Sequence, residues 1–145
     1  MTETETETET EMDNKVKKAV ILVDDEILLI MTLRMEMQRH YGDAFRVETA
    51  TRAERAEALL TELIDSGVMV VLIISDWSMP GMRGDALLER IRSKDGTIKT
   101  ILLSGYACDD SVRRLYDSNC LDAFVAKPWT EETLFGTVDR LLSAG

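Results

Sequence analysis

Asp24, Asp25, Asp76, Ser104 and Lys127 each stand at or just beyond the end of a short apolar run in this sequence. If those run-ends meet, three carboxylates share a small volume with a hydroxyl and an ammonium. Carboxylates so crowded repel one another, and at least one has its pKa raised unless a cation lies among them. Oxygen donors without His or Cys favour magnesium, which keeps several waters and takes only a few carboxylates. A carboxylate in that setting is equipped to receive a phosphoryl group. The cation and Lys127 would neutralise charge on the equatorial phosphoryl oxygens, Ser104 would donate a hydrogen bond, and Asp76 would attack in line to form an aspartyl phosphate.

Whether the run-ends meet depends on the elements that carry them. Residues 68–74, V-M-V-V-L-I-I, show no polar alternation, the pattern of a strand buried on both faces of a parallel sheet. Residues 19–23, 45–48, 100–103 and 123–126 supply four shorter strands. Between and after them, apolar spacing predicts helices over 27–41, 51 to about 65, 85–93, 109 to about 119, and from 130 onward. In the first helix Leu28, Met31 and Met35 mark the spacing, the methionines read as core filler, and Gly42 reads as the stop. Thr51 and Glu54 fit a capping box, Ser66-Gly67 a helix end, and Pro80-Gly81 a turn, with Gly84 a second flexible point. The last helix begins with Glu131 and Glu132, suited to its dipole, and carries Leu134, Val138, Leu141 and Leu142 as one stripe.

Five strand-then-helix units require right-handed crossovers and a parallel sheet covered on both sides. The predicted fold is α/β: a doubly wound, five-stranded parallel sheet with five helices. An eight-fold barrel would need roughly 200 residues or more. In an open sheet of this kind the carboxyl ends of the strands line one edge, where ligands gather. That edge brings Asp24, Asp25, Asp76, Ser104 and Lys127 together.

Composition narrows the function. A chain of 145 residues, 45% hydrophobic, buries one core. Residues 1–14, mostly a Thr-Glu repeat, are expected to be a disordered tail, because alternation sets every Glu on one strand face with no apolar face opposite; residues 15–145 form the domain. The formal charge of −10 falls to −4 once the six acids of residues 1–13, a segment without bases, are set aside. Such a balance gives no electrostatic footprint for nucleic acid or an anionic membrane, both of which demand clustered Lys and Arg, so direct DNA binding is disfavoured. The sequence has no bilayer-length apolar segment and no signal-peptide pattern, so a cytoplasmic location is expected. Cys108 and Cys120 read as unpaired thiols, and His40, the single histidine, as a surface residue near a helix end.

The set V-D-D-E at 23–26, D-W-S-M-P-G-M-R-G at 76–84, L-S-G-Y at 103–106 and K-P at 127–128 resembles the response-regulator receiver domains of two-component signalling, including the single-domain chemotaxis type. The resemblance runs from about residue 17 to 143 and implies a flavodoxin-like (βα)5 receiver fold. It implies Asp76 as phosphoacceptor, Asp25 as a direct magnesium ligand with Asp24 acting through water, and the Ser78 carbonyl as a further ligand. It also implies a switch hydroxyl at Ser104, a phosphoryl or ion-pair contact from Lys127 across a cis bond to Pro128, and a switch aromatic at Phe124. Many relatives carry Tyr at that last position, so a polar signal from the ring hydroxyl is missing here. Ser78 and Tyr106 fall where the family tunes the lifetime of the phosphoryl group.

On this reading the protein is not an enzyme in the usual sense. It is a magnesium-dependent phosphoacceptor that assists its own phosphorylation and dephosphorylation, taking the group from a sensor histidine kinase or a histidine phosphotransfer protein. Since the last predicted helix runs almost to Gly145, output is expected to be contact with a downstream protein, through the face formed by the fourth helix, fifth strand and fifth helix. The same face is open to dimerisation. An alternative from another class is a constitutive interaction module that keeps the fold without phosphotransfer. A magnesium-dependent phosphatase or nucleotide-binding enzyme fits less well, for want of a P-loop, a dinucleotide glycine fingerprint, or a second Asp two residues after Asp76. Trp129 reads as packing, and Trp77 as either packing or a surface aromatic.

Overall fold

The computed structural model describes residues 17–77, 79, 81–105 and 109–144. The Thr/Glu tail, Ser78, Pro80, Tyr106 and Cys108 lie outside those residues, as do the expectations attached to them. Strands β1 (Lys18–Val23), β2 (Arg46–Ala50), β3 (Met69–Asp76), β4 (Lys99–Ser104) and β5 (Ala123–Ala126) alternate with helices α1 (Ile27–Tyr41), α2 (Ala53–Asp65), α3 (Gly84–Lys94), α4 (Asp109–Asp117) and α5 (Glu131–Ala144). All pairings are parallel, in the order β2-β1-β3-β4-β5. This is the doubly wound (βα)5 sheet that the sequence predicts.

Strand alternation divides the core into two layers. Ala19, Ile21 and Val23 of β1, with Ile73 and Leu102, pack against the buried faces of α2 and α3. Val20 and Leu22, with Leu72, Ile74, Ile101 and Leu103, pack against Ile30, Leu33 and Met37 of α1 and Leu134, Phe135, Val138 and Leu141 of α5. Burial of both sheet faces explains why β3 reads as an unbroken apolar run. The chain leaves β1 toward β2, then crosses back to β3 on the other side of β1, so the order in which strands are added reverses between β1 and β3. In doubly wound sheets ligands bind at such a reversal, outside the carboxyl ends of the strands.

Three expectations are corrected. Leu28, Met31 and Met35 do not face the core: they are 80%, 59% and 58% exposed, and Ile27 is 61% exposed. α1 carries apolar residues around most of its circumference, so spacing alone does not single out the inward face, which is that of Ile30, Leu33 and Met37. The capping box is not formed either. α2 starts at Ala53 with Arg52 at its N-cap and no side-chain cap, and Glu54 pairs with Arg52 at 3.6 Å instead. Gly84, finally, is not a flexible point but the first residue of α3, at a place where no side chain fits.

Other local readings hold. Gly42 and Gly67 take positive φ values of 60° and 83° at the ends of α1 and α2, a conformation cheap for glycine. Thr130 caps α5, its Oγ1 accepting the Thr133 amide at 3.1 Å. Cys120 is a buried free thiol, and His40 is an exposed residue stacked on Phe135 with 4.5 Å between ring centroids. No helix among the described residues is long and apolar enough to cross a membrane.

Candidate functional site

β1 and β3 are adjacent, and their register pairs Val23 with Ser75. The next residue on each strand is an aspartate, so Asp24 and Asp76 meet at the sheet edge. Both are nearly buried, at 3% and 8% exposure, while Asp25 faces solvent at the rim. One carboxylate oxygen from each of Asp24, Asp25 and Asp76 lies within 4.8 Å of the others. From just past β5, the Lys127 ammonium donates to Asp24 Oδ2 at 2.9 Å and to Asp76 Oδ1 at 3.0 Å. Ser104 is buried at the end of β4, one residue past Leu103, the register partner of Asp76.

Backbone contacts hold this edge in place. The Asp24 amide donates to the Ala50 carbonyl at 3.2 Å and the Lys127 amide to the Ser104 carbonyl at 2.9 Å, tying β1 to β2 and β5 to β4 beyond their last paired residues. Asp24 Oδ1 accepts the Glu26 amide at 2.9 Å, fixing its carboxylate against the first turn of α1. The Lys127-Pro128 peptide is cis. Behind Asp76, the Gly84 amide donates to the Trp77 carbonyl at 2.8 Å, which presses the start of α3 onto the end of β3. A Cβ on Gly84 would sit 2.1 Å from the Asp76 carbonyl oxygen. Trp77 is core, with the Arg83 guanidinium 5.2 Å above its ring and Arg83 itself paired with Asp85.

The electrostatics are unbalanced. Burial pushes the Asp76 carboxyl above the usual carboxylate range; Lys127 opposes the shift by hydrogen bonding, the Asp24 charge adds to it, and the Trp77 amide opposes it weakly. Burial also acts against the Lys127 ammonium, yet its hydrogen bonds to Asp24 and Asp76 outweigh that and hold its pKa above the ordinary lysine value. One ammonium thus offsets part of the repulsion among three carboxylates. An all-oxygen donor set at a half-open rim, with charge left to neutralise, fits a hard divalent cation such as magnesium.

With its folded-state pKa above the unfolded value, Asp76 binds its proton more readily in the folded protein, so stability falls as pH rises through that raised value and stays lower above it. Asp76→Asn keeps an acceptor for Lys127 and removes the charge. Without divalent cation at pH 7 the variant is expected to melt about 2–5 °C higher than the wild type. The gap should shrink as pH falls toward the carboxylate range; a lower melting temperature at pH 7 would contradict this reading of the pocket.

The structure therefore brings together Asp24, Asp25, Asp76 and Lys127, with Ser104 next along the edge. Phe124 is not among them. It lies half-buried on β5, opposite Leu102, against the α2 and α3 layer. Sequence reasoning missed the closeness of Gly84 to Asp76, although a glycine opening a helix just after a strand-end acid is a usable signal. It also missed the hydrogen bond from Trp129 Nε1 to Glu36 Oε1, 2.8 Å long, whose partners are 93 residues apart and carry no local mark.

The model of the response regulator receiver domain family matches residues 20–139. The chain is similar to the hydrogenase transcriptional regulatory protein HoxA of Cupriavidus necator, 30% identical over 86% of this chain and 24% of that protein. It is also similar to the sensor kinase CckA of Brucella abortus, 31% identical over 90% of this chain and 14% of that protein. Across the curated relatives it matches, the chain spans between 14% and 51% of their length. Among solved structures, a CheY-like response regulator receiver domain protein from Methanospirillum hungatei aligns with a TM-score of 0.75 at 21% identity, covering 90% of this chain and all of that one. At that identity the likeness speaks for the fold.

Proposed function

This chain belongs to the response regulator receiver domain family, and from that premise we propose that it accepts a phosphoryl group on Asp76 and changes its protein contacts as a result. The observation that carries the proposal is the Lys127 ammonium held between Asp24 and Asp76, with the Asp25 carboxylate beside them. A lone structural carboxylate would need no such company.

In the proposed reaction an Asp76 carboxylate oxygen attacks phosphorus in line with the scissile bond. The bond to the donor's imidazole nitrogen breaks, that nitrogen leaves with the electron pair and is protonated by solvent, and an acyl phosphate remains on Asp76. Lys127, 3.0 Å from the attacking carboxylate, moves from pairing with an acid to pairing with a phosphoryl oxygen. Ser104 donates to another of these oxygens. Magnesium, held by Asp24, Asp25 and Asp76, would neutralise charge on the transferring group. The Ser78 carbonyl, expected from the sequence as a further ligand, lies outside the described residues.

The phosphodonor is a phosphohistidine on a sensor histidine kinase or phosphotransfer protein. The exposed apolar face of α1 begins at Ile27 and Leu28, directly after the acidic rim, so a protein delivering a phosphoryl group to Asp76 would cover it. The acyl phosphate adds roughly −1.5 to −2 charges at the sheet edge. Ser104 and, through packing, Phe124 carry that change toward the face of α4, β5 and α5, where a downstream protein binds.

The test is incubation with acetyl phosphate and magnesium followed by intact-mass measurement. A hydroxylamine-labile gain of one phosphoryl group, absent when EDTA replaces magnesium, is expected. A folded protein that gains nothing would instead be a constitutive interaction module.

A further inference from the structure

We infer that Trp129 is a positioning residue for Lys127, acting through the hydrogen bond from its indole to Glu36 on α1; the inference rests on the phosphoacceptor reading of Asp76. Two segments are tied to each other twice. The first runs from Asp24 into α1, and the Asp24 carboxylate is locked to that helix start by the Glu26 amide at 2.9 Å. The second is Lys127-Pro128-Trp129, the link from β5 to α5. One tie is Lys127 Nζ to Asp24 Oδ2 at 2.9 Å; the other is Trp129 Nε1 to Glu36 Oε1 at 2.8 Å. Together with the two stretches of chain they close a ring: Asp24, α1, Glu36, Trp129, Lys127 and back to Asp24.

Among the described residues, few other hydrogen bonds tie the second segment. The Lys127 amide is held by the Ser104 carbonyl, and Thr130 is already the cap of α5. Between those points Ala126 and Pro128 are exposed, while Trp129 is half-buried and packs on the core layer of α1 and α5. Its ring gives the segment an apolar anchor, which another large apolar side chain could supply. The indole N–H adds direction: a partly desolvated donor aimed at a carboxylate on a rigid helix makes a charge-assisted bond, stronger than a neutral one and sensitive to angle. α1 is also the helix that sets Asp24. The bond therefore fixes the lysine's backbone relative to the carboxylates its ammonium must reach, and a misplacement of about 1 Å is enough to slow a positioned reaction severely. Phosphoryl transfer depends on positioning almost entirely.

The test uses the whole chain with acetyl phosphate and magnesium. Trp129→Phe keeps the ring and removes the N–H, Glu36→Leu removes the acceptor, and Glu36→Gln keeps an acceptor oxygen. Trp129→Phe and Glu36→Leu should each slow phosphorylation about 3–10-fold, Glu36→Gln, which keeps a neutral bond, should slow it less than Glu36→Leu, and the double variant should be no slower than either single. In a Lys127→Met background Trp129→Phe should leave the residual rate unchanged. Equal slowing with and without Lys127, or no slowing at all, overturns the inference. A second readout needs no phosphorylation. Trp129→Phe should lower the melting temperature more in the wild type than in Lys127→Met, since the two ties belong to one ring; equal losses overturn the inference. If the wild type takes no phosphoryl group, the acceptor reading of Asp76 fails on its own, and the melting comparison still decides whether Trp129 and Lys127 are coupled.

Discussion

Gly84→Ala should unfold at a markedly lower denaturant concentration than the wild type and lose most of its capacity to be phosphorylated. A Cβ at this position meets the Asp76 carbonyl oxygen at 2.1 Å, the Asp76 carbonyl carbon at 3.1 Å and the Trp77 Cα at 3.2 Å. All three are backbone atoms, so no side-chain rotation relieves the overlap. Either α3 lifts from the sheet and loses the bond from its Gly84 amide to the Trp77 carbonyl, or the end of β3 is displaced with Asp76 on it. Overpacking of this kind costs typically about 1–3 kcal/mol, and the backbone location places the expected loss at the upper end of that range. The check is the urea midpoint, with an m-value unchanged from wild type, alongside the phosphorylation assay. Gly105→Ala, on the same rim but with nothing among the described residues within 4 Å of the added atom, is the matched control and should behave as wild type. Equal behaviour of the two variants would contradict the packing argument.

Lys127→Ala is expected to act on both chemistry and stability. It removes the ammonium that sits 2.9 Å from Asp24 and 3.0 Å from Asp76, leaving those carboxylates beside Asp25 without that compensating charge. Removing one preorganised donor to a developing oxyanion costs about 100-fold or more in enzymes, and a loss on the order of 100-fold in the rate with acetyl phosphate is expected. The stability effect has a definite sign. Lys127 is among the influences that lower the pKa of Asp76, so its removal raises that pKa further and favours proton uptake on folding. The variant should be less stable than wild type at pH 7, with the difference narrowing as pH falls and also narrowing on addition of magnesium, which binds the folded state. Melting curves across pH, with and without the ion, check this. A deficit that grows toward low pH would contradict it.

The fold was legible in the sequence because burial of both sheet faces leaves a plain mark. β3 shows an unbroken apolar run, β5 was placed residue for residue, and the boundaries of α1 coincide with those of its apolar segment. Parallel pairing then puts all the strand ends on one edge, so the meeting of Asp24, Asp25, Asp76 and Lys127 follows from topology. The inward face of α1 was not legible. Ile27, Leu28, Met31 and Met35 compete with Ile30, Leu33 and Met37 on a helix that is apolar nearly all round, and the choice between them is made by what the helix packs on. Capping at Thr51 failed because the helix begins two residues later, with Arg52 and Glu54 pairing across its first turn. Glu36 and Trp129 form a contact that exists only once α1 and the segment before α5 are side by side, a fact of tertiary structure with no local signature. Gly84 illustrates a subtler miss. The glycine is plain in the sequence, but the reason for it is steric closeness to Asp76 and not freedom of the backbone.

The central claim is that the phosphoryl group is carried by the Asp76 carboxylate, and the most direct measurement is to locate it. After acetyl phosphate and magnesium, borohydride reduces an acyl phosphate to the corresponding alcohol, so a modified aspartate becomes homoserine and fragment masses identify its position. The account predicts homoserine at position 76 alone in the wild type, and none in a folded Asp76→Asn protein. Homoserine at position 24 or 25, or labelling undiminished in Asp76→Asn, would contradict it.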